Sequence, residues 1–252
     1  MAVIGCQSSG KSTLLNLVFD TSFNVMNEED GRSQTTKGIW MSRNQDKSTF
    51  VFDIEGTDSK ERAEQRITFE QTCSLFALAM ADVLLVNQWY TDLGRYQGSN
   101  IGLLKVILES NLKLFGQSHK KRLVFVVRDF HFKGDNDQKT KDDIFRDIEK
   151  IWSEIYKPDV YKNSQYTDFF EIEFFFMPHK IYFEADFISK CQELKNRFVK
   201  DAPNSLYPSS TKENVPVDGL SFYMDTTWST IKEQKDLNLP DQREMVAEYR
   251  CN

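Results

Sequence analysis

The chain has 252 residues, 40% apolar, 13% aromatic and 28% charged, which excludes a disordered or fibrous protein. Its 32 basic and 38 acidic residues leave a net charge of −6. That balance argues against a general nucleic-acid binder, because no basic excess is available to neutralise a polyphosphate backbone, but it permits a local phosphate site.

One or two domains with a sizeable core are expected at this length. Apolar, β-rich runs at 2–4, 38–42, 49–54, 83–88, 123–128 and 172–177 read as strands. Helical spacing is expected at 12–19, 61–80, 101–115, 142–156, 184–200 and 220–233. The first strand starts abruptly, which reads as a domain cut short at its N-terminal edge. Residues 203–216, rich in Pro, Ser, Asn and Thr, read as a loop, and Pro240 precedes a last helical pattern at 242–250. Strands alternating with helices imply a mostly parallel sheet covered on both sides.

The longest apolar stretch, 75–86, is interrupted by Asp82 and is shorter than the roughly 20 residues of a membrane span. Cys6, Cys73, Cys191 and Cys251 stand far apart, as do His119, His131 and His179. They read as reduced thiols and scattered imidazoles, with no His/Cys metal centre.

Residues 5–13 read Gly-Cys-Gln-Ser-Ser-Gly-Lys-Ser-Thr, a full match to G-x-x-x-x-G-K-[S/T] between an apolar strand and an amphipathic helix. Gly5 and Gly10 permit a backbone that turns its amides toward phosphate oxygens, and the helix N-terminus adds its positive end. Lys11 supplies a cation to the outer phosphates and Ser12 a hydroxyl to Mg²⁺. The nucleotide-binding set is therefore Gly5, Cys6, Gln7, Ser8, Ser9, Gly10, Lys11, Ser12 and Thr13. Together with the βα alternation, the loop predicts an α/β P-loop NTPase-type three-layer fold, with a central, mostly parallel sheet and helices on both faces.

A second element, Asp53-Ile54-Glu55-Gly56, follows the apolar run Phe50-Val51-Phe52. Asp53 at a strand end beside a phosphate loop suits Mg²⁺, and Gly56 suits a close approach of its amide to the terminal phosphate. Between these elements lies the polar stretch Gly31-Arg32-Ser33-Gln34-Thr35-Thr36-Lys37-Gly38, which fits a switch closing on metal and phosphate. Arg32 is either a finger offsetting charge during phosphoryl transfer or part of an ordinary solvated loop.

Three segments carry a resemblance: residues 5–16, then Gln-Thr-Thr-Lys-Gly-Ile-Trp-Met at 34–41, then Asp-Ile-Glu-Gly-Thr-Asp at 53–58. Together they resemble a dynamin-superfamily GTPase of the Root Hair Defective type, the plant, fungal and protist counterpart of the atlastins. Thr-Lys-Gly-Ile-Trp-Met also occurs in guanylate-binding proteins, whereas 58–64 and 83–100, with Asn87-Gln88-Trp89 and Asp92-Leu93-Gly94-Arg95, fit the Root Hair Defective type better. The resemblance extends to about residue 250.

It implies GTP as substrate, with Mg²⁺ held by Ser12, Thr36 and Asp53. It implies guanine recognition by Arg128-Asp129, with Arg128 packed on or near the base and Asp129 accepting from its N1–H and exocyclic amine. His179, in Met177-Pro178-His179-Lys180, falls in the last guanine loop. Where atlastins carry an arginine inside the phosphate loop, this chain has Ser8. The catalytic set is thus Lys11 and Thr36 with either Arg32, or a cation aided by Gln7 and Ser8. Residues 1–235 would form the GTPase domain, and 236–252 a linker and the start of a following helical region. The resemblance further implies a homodimer through the GTPase domain and a parent protein on the cytosolic face of the endoplasmic reticulum. Its membrane segments would lie outside this chain, its action would be homotypic membrane fusion, and no nucleic acid would be a partner. The residues also admit a GTP-binding switch without appreciable turnover, an ATP-using enzyme, and a soluble guanylate-binding-type GTPase.

Overall fold

The computed structural model describes residues 1–25, 36–46, 48–56, 66–93, 99–114, 120–199, 202–207 and 217–233. In chain order its elements are β1 (Ala2–Gly5), α1 (Lys11–Phe19), β2 (Ile39–Arg43), β3 (Phe50–Ile54), α2 (Arg66–Met80), β4 (Val83–Trp89) and α3 (Ser99–Leu114). There follow β5 (Lys121–Arg128), α4 (Asn136–Glu154), β6 (Phe170–Phe176), α5 (Glu184–Asn196) and α6 (Leu220–Lys232). The strands form a six-stranded sheet in the order β2-β3-β1-β4-β5-β6. All neighbours are parallel except the edge pair β2–β3, where Met41 faces Phe52.

Period-two alternation in the strands builds two cores. Ala2, Ile4, Phe52, Ile54, Leu84, Val86, Leu123, Phe125 and Val127 face one side and pack with α2, α3, α4 and α6. Val3, Val51, Val83, Leu85, Val124 and Val126 face the other, against Leu14, Leu15 and Val18 of α1 and Phe187, Cys191 and Leu194 of α5. Strands buried on both faces explain why their sequences read as nearly continuous apolar runs. The expected mostly parallel, three-layer architecture is the one observed.

Some element ends differ from the sequence reading. Helix α4 begins at Asn136 and not at 142, because residues 136–141 are polar apart from the methyl of Thr140 and give no apolar period to read. Its buried Thr140, Ile144, Ile148, Ile151 and Trp152 do keep that period. Helix α5 stops at Asn196 and not at 200: the chain folds back, with Leu206 N–H donating to Arg197 C=O at 2.6 Å. The earlier part of the helix expected over 61–80, most of the loop expected over 203–216, the final pattern at 242–250 and the domain boundary at 235 lie outside the described residues.

The topology sets where a ligand sits. The chain leaves β1 toward β3 on one side of the sheet order, and leaves β4 toward β5 on the other. The carboxyl ends of β1 and β4 therefore border the crevice at which open α/β sheets bind ligands. Four charged side chains are buried among the described residues: Lys11, Asp53, Glu55 and Arg128. Asp53, Glu55 and Arg128 stand at, or directly beyond, the carboxyl ends of β3 and β5, and Lys11 opens α1 after the loop that leaves β1. Burying charge is costly unless it is paired or serves a ligand, so their clustering at one edge marks the site.

Candidate functional site

Residues 5–10 leave β1, turn back and enter α1. Gly5 has φ 148°, and a Cβ there would lie 2.1 Å from the backbone oxygen of Asn87 on β4. Ser8 (φ 59°) and Gly10 (φ 74°) are both left-handed, and Gly10 caps α1. The first amides of α1 lack intrahelical acceptors and stand free for an anion. Replacing Gly5 by Ala is expected to destabilise the domain by about 2–4 kcal/mol, because backbone must shift on β1 or β4. Chemical denaturation measures this, and an unchanged midpoint would contradict so tight a β1–β4 approach.

The loop is closed on itself and held from below. Ser9, fully buried, donates from Oγ to Cys6 C=O at 2.7 Å. Lys11 Nζ donates to the carbonyls of Gly5 (3.2 Å) and Cys6 (3.0 Å), inside the curl where phosphate oxygens would enter. Burial pushes the Lys11 ammonium down to about 8, with Asp53 pulling the other way. Gln7 and Cys6 are half-buried, Ser8 is exposed at the tip of the loop, and Thr13 is half-buried in the first turn of α1.

The three expected metal ligands converge. Ser12 Oγ donates to Asp53 Oδ2 at 2.5 Å, Thr36 Oγ1 donates to the same oxygen at 3.2 Å, and the two hydroxyls are 3.3 Å apart. Asp53 Oδ1 is buried with no hydrogen-bond partner among the described residues. Burial pushes the Asp53 carboxyl above its usual range, against the stabilising hydroxyls and Lys11. An all-oxygen set of one carboxylate and two hydroxyls, with an orphaned carboxylate oxygen, fits Mg²⁺ well and soft metals poorly.

Glu55 and Gly56 complete this end. Glu55 N–H donates to Gly38 C=O at 2.8 Å and Gly38 N–H donates to Glu55 Oε2 at 2.6 Å, a reciprocal pair that fixes the segment two residues after Thr36. A Cβ on Gly56 would lie 2.4 Å from Gln7 Cα and 2.9 Å from Lys11 Nζ, so only glycine fits against the loop.

At the other end of the crevice, Asp129 leaves β5 in a left-handed conformation (φ 56°). Its Oδ2 lies 3.6 Å from His179 Nε2, brought by the loop between β6 and α5. His179 is itself oriented: its Nδ1 accepts from Ile181 N–H at 3.1 Å and its ring stacks on Tyr182. The Arg128 guanidinium is buried beneath the phosphate loop. Nη1 donates to Ser9 C=O (3.3 Å), Gly10 C=O (3.4 Å) and Asn87 Oδ1 (3.3 Å), and the cation lies 5.1 Å from the Phe187 ring centroid. Desolvation pushes its pKa down. The cause is the period of β5, which turns Val124, Val126 and Arg128 to the α1/α5 face. Arg32 lies outside the described residues.

Two contributors escaped the sequence reading. Asn87 is fully buried and donates from Nδ2 to Ser9 C=O (3.0 Å) and Ser9 Oγ (2.8 Å). Glu55 is the second. The signal for Asn87 is a polar residue inside the apolar run 83–86 extended to Trp89, in step with Val83 and Leu85 and hence facing α1.

The Root hair defective 3 GTP-binding protein (RHD3) GTPase domain matches residues 4–240. The chain is 41% identical to a SEY1 homolog of Dictyostelium discoideum, covering 100% of this chain and 29% of that protein. It is 42% identical to SEY1 of Laccaria bicolor (100% and 33%) and 41% identical to a SEY1 homolog of Plasmodium falciparum (100% and 29%). The chain thus spans about a third of the length of these curated relatives. Among solved structures, a bacterial selenocysteine-specific elongation factor, EF-Sec, superposes with a TM-score of 0.42 at 16% identity, over 76% of this chain and 28% of that one, which is too slight to bear on the assignment. The family match runs through the phosphate loop, the Asp53–Gly56 element and the Arg128-Asp129 strand end alike, and on it the chain belongs to the Root hair defective 3 GTPase-domain family.

Proposed function

We propose that this domain binds GTP with Mg²⁺ and hydrolyses it, and that the longer protein uses the cycle to dimerise and fuse endoplasmic reticulum membranes. The observation carrying the chemical half is the convergence of Ser12, Thr36 and Asp53 beside a buried Lys11 in a complete phosphate loop. Water attacks the γ-phosphorus, the bond to the β–γ bridging oxygen breaks, and GDP and phosphate leave, with one proton of water kept on phosphate and the other passing to phosphate or solvent. The protein has little covalent work to do: it positions reactants and stabilises charge. The loop amides and the α1 N-terminus hold the α- and β-phosphates, Lys11 offsets charge on the outer oxygens, and Gly56 lets its own amide approach the terminal phosphate. Ser12, Thr36 and Asp53 would hold Mg²⁺, which when bound neutralises negative charge on the phosphates. Asp129 reads the guanine N1–H and amine, with His179 beside it. In the catalytic set, Arg32, or a cation with Gln7 and Ser8, supplies the remaining positive charge.

The membrane half is supported by family membership and by relatives about three times as long. No helix among the described residues is long and apolar enough to cross a membrane. Head-to-head contact of two GTPase domains predicts that turnover per protomer rises with protein concentration, as phosphate release across a dilution series measures. A constant turnover per protomer, with monomers by sedimentation in every nucleotide state, would remove dimerisation from the account.

A further inference from the structure

We propose that Asn87 is the positioning residue that sets the phosphate loop's shape and, through Arg128, ties it to the base-reading strand end. This rests on the guanine-nucleotide reading above and deepens it. Asn87 holds the loop at three points. Its backbone oxygen abuts Gly5, where no Cβ fits. Its Nδ2 donates to both the carbonyl and the hydroxyl of Ser9, the residue on which the loop closes through Cys6 C=O. Its Oδ1 accepts from Arg128 Nη1, which also donates to Ser9 and Gly10 C=O. Every polar atom of the Asn87 side chain is therefore used, in a site sealed from water, where an unmade hydrogen bond costs most.

The connection has a direction. Arg128 is adjacent in the chain to Asp129, so the guanidinium under Gly10 and the carboxylate at the base end belong to one strand terminus. Asn87 fixes where that guanidinium sits relative to Ser9. The side chain's polar contacts all go to Ser9 and Arg128, so it acts through them. Its removal should loosen the grip on phosphates selectively. Binding of a nucleotide that offers one phosphate should change little, whereas each further phosphate should add less affinity than in the wild type.

The test compares dissociation constants of GMP and GDP, by competition with a fluorescent GDP analogue, in wild type, Asn87→Ala and Asn87→Asp. Asn87→Asp is nearly isosteric, keeps an acceptor for Arg128 and loses both donations to Ser9, so it serves even if Asn87→Ala fails to fold. The expected result is that the GMP-to-GDP ratio of dissociation constants falls about tenfold or more in the variants, the size of one to two lost buried hydrogen bonds. Loss of folded protein alone lowers the number of binding sites and leaves that ratio unchanged. Equal weakening of GMP and GDP, or a fall in melting temperature with both constants unchanged, would overturn the assignment. Failure of the wild type to bind either nucleotide would sink the guanine-nucleotide reading itself, and this inference with it.

Discussion

Lys11→Ala is expected to lower kcat/KM for GTP by about a thousandfold or more, the upper range for removing one preorganised charge at a developing anion. The ammonium is buried inside the curl of the loop and held by two of its carbonyls, 3.0 and 3.2 Å away. Burial, only partly offset by Asp53, pushes it down to about 8, so the fold keeps a cation where water would ordinarily be preferred. Such an arrangement makes sense for a ligand that brings negative charge. No other basic side chain is buried on this side of the loop among the described residues, since Arg128 is committed beneath it. The variant should melt within a few degrees of wild type without nucleotide, because the side chain lost is one the interior accommodates at a cost. Phosphate release together with a thermal scan checks both halves. Turnover within tenfold of wild type would show that charge on the outer phosphates is met elsewhere.

Asp129→Asn is expected to weaken GTP by about a hundredfold to ten-thousandfold, because one hydrogen bond to a charged acceptor becomes a donor–donor clash and the other falls to a neutral acceptor. It is also expected to raise affinity for xanthosine triphosphate. The carboxylate offers two acceptors, and guanine offers two donors on one edge, N1–H and the 2-amine. An amide replaces one acceptor by a donor, which clashes with the amine and suits the 2-oxo group of xanthine. The structure gives the carboxylate a defined direction through the left-handed backbone at Asp129, with His179 at 3.6 Å behind it. Competition binding with the two triphosphates reads the switch directly. A variant that loses GTP without gaining the xanthine nucleotide would place base recognition on other groups.

The site was unevenly legible from the sequence. The phosphate loop reads out because amide-lined curls demand glycine and a cation at fixed spacing, with no help from distant residues. Asp53 reads out as an acid ending an apolar strand. What brings Thr36 to it is the antiparallel edge pair β2–β3 and the Gly38–Glu55 link, and neither leaves a periodic mark. The resemblance implies that Arg128 packs on or near the base, and strand alternation carries it, like Asn87 and Asp53, to the face that α1 covers. The same period of two that marks these strands also fixes which face their last polar residues take. The early start of α4 was hidden for the opposite reason: a solvent-facing first turn carries no apolar signal.

Phosphate release measured with GTP and, separately, with ATP, each in Mg²⁺ and again in excess EDTA, tests the central claim most directly. The account predicts release from GTP in Mg²⁺, little from ATP, and none from either nucleotide once the metal is chelated. Equal or faster release from ATP, or GTP turnover that survives EDTA, would contradict the roles given to Asp129 and to the Ser12, Thr36 and Asp53 cluster.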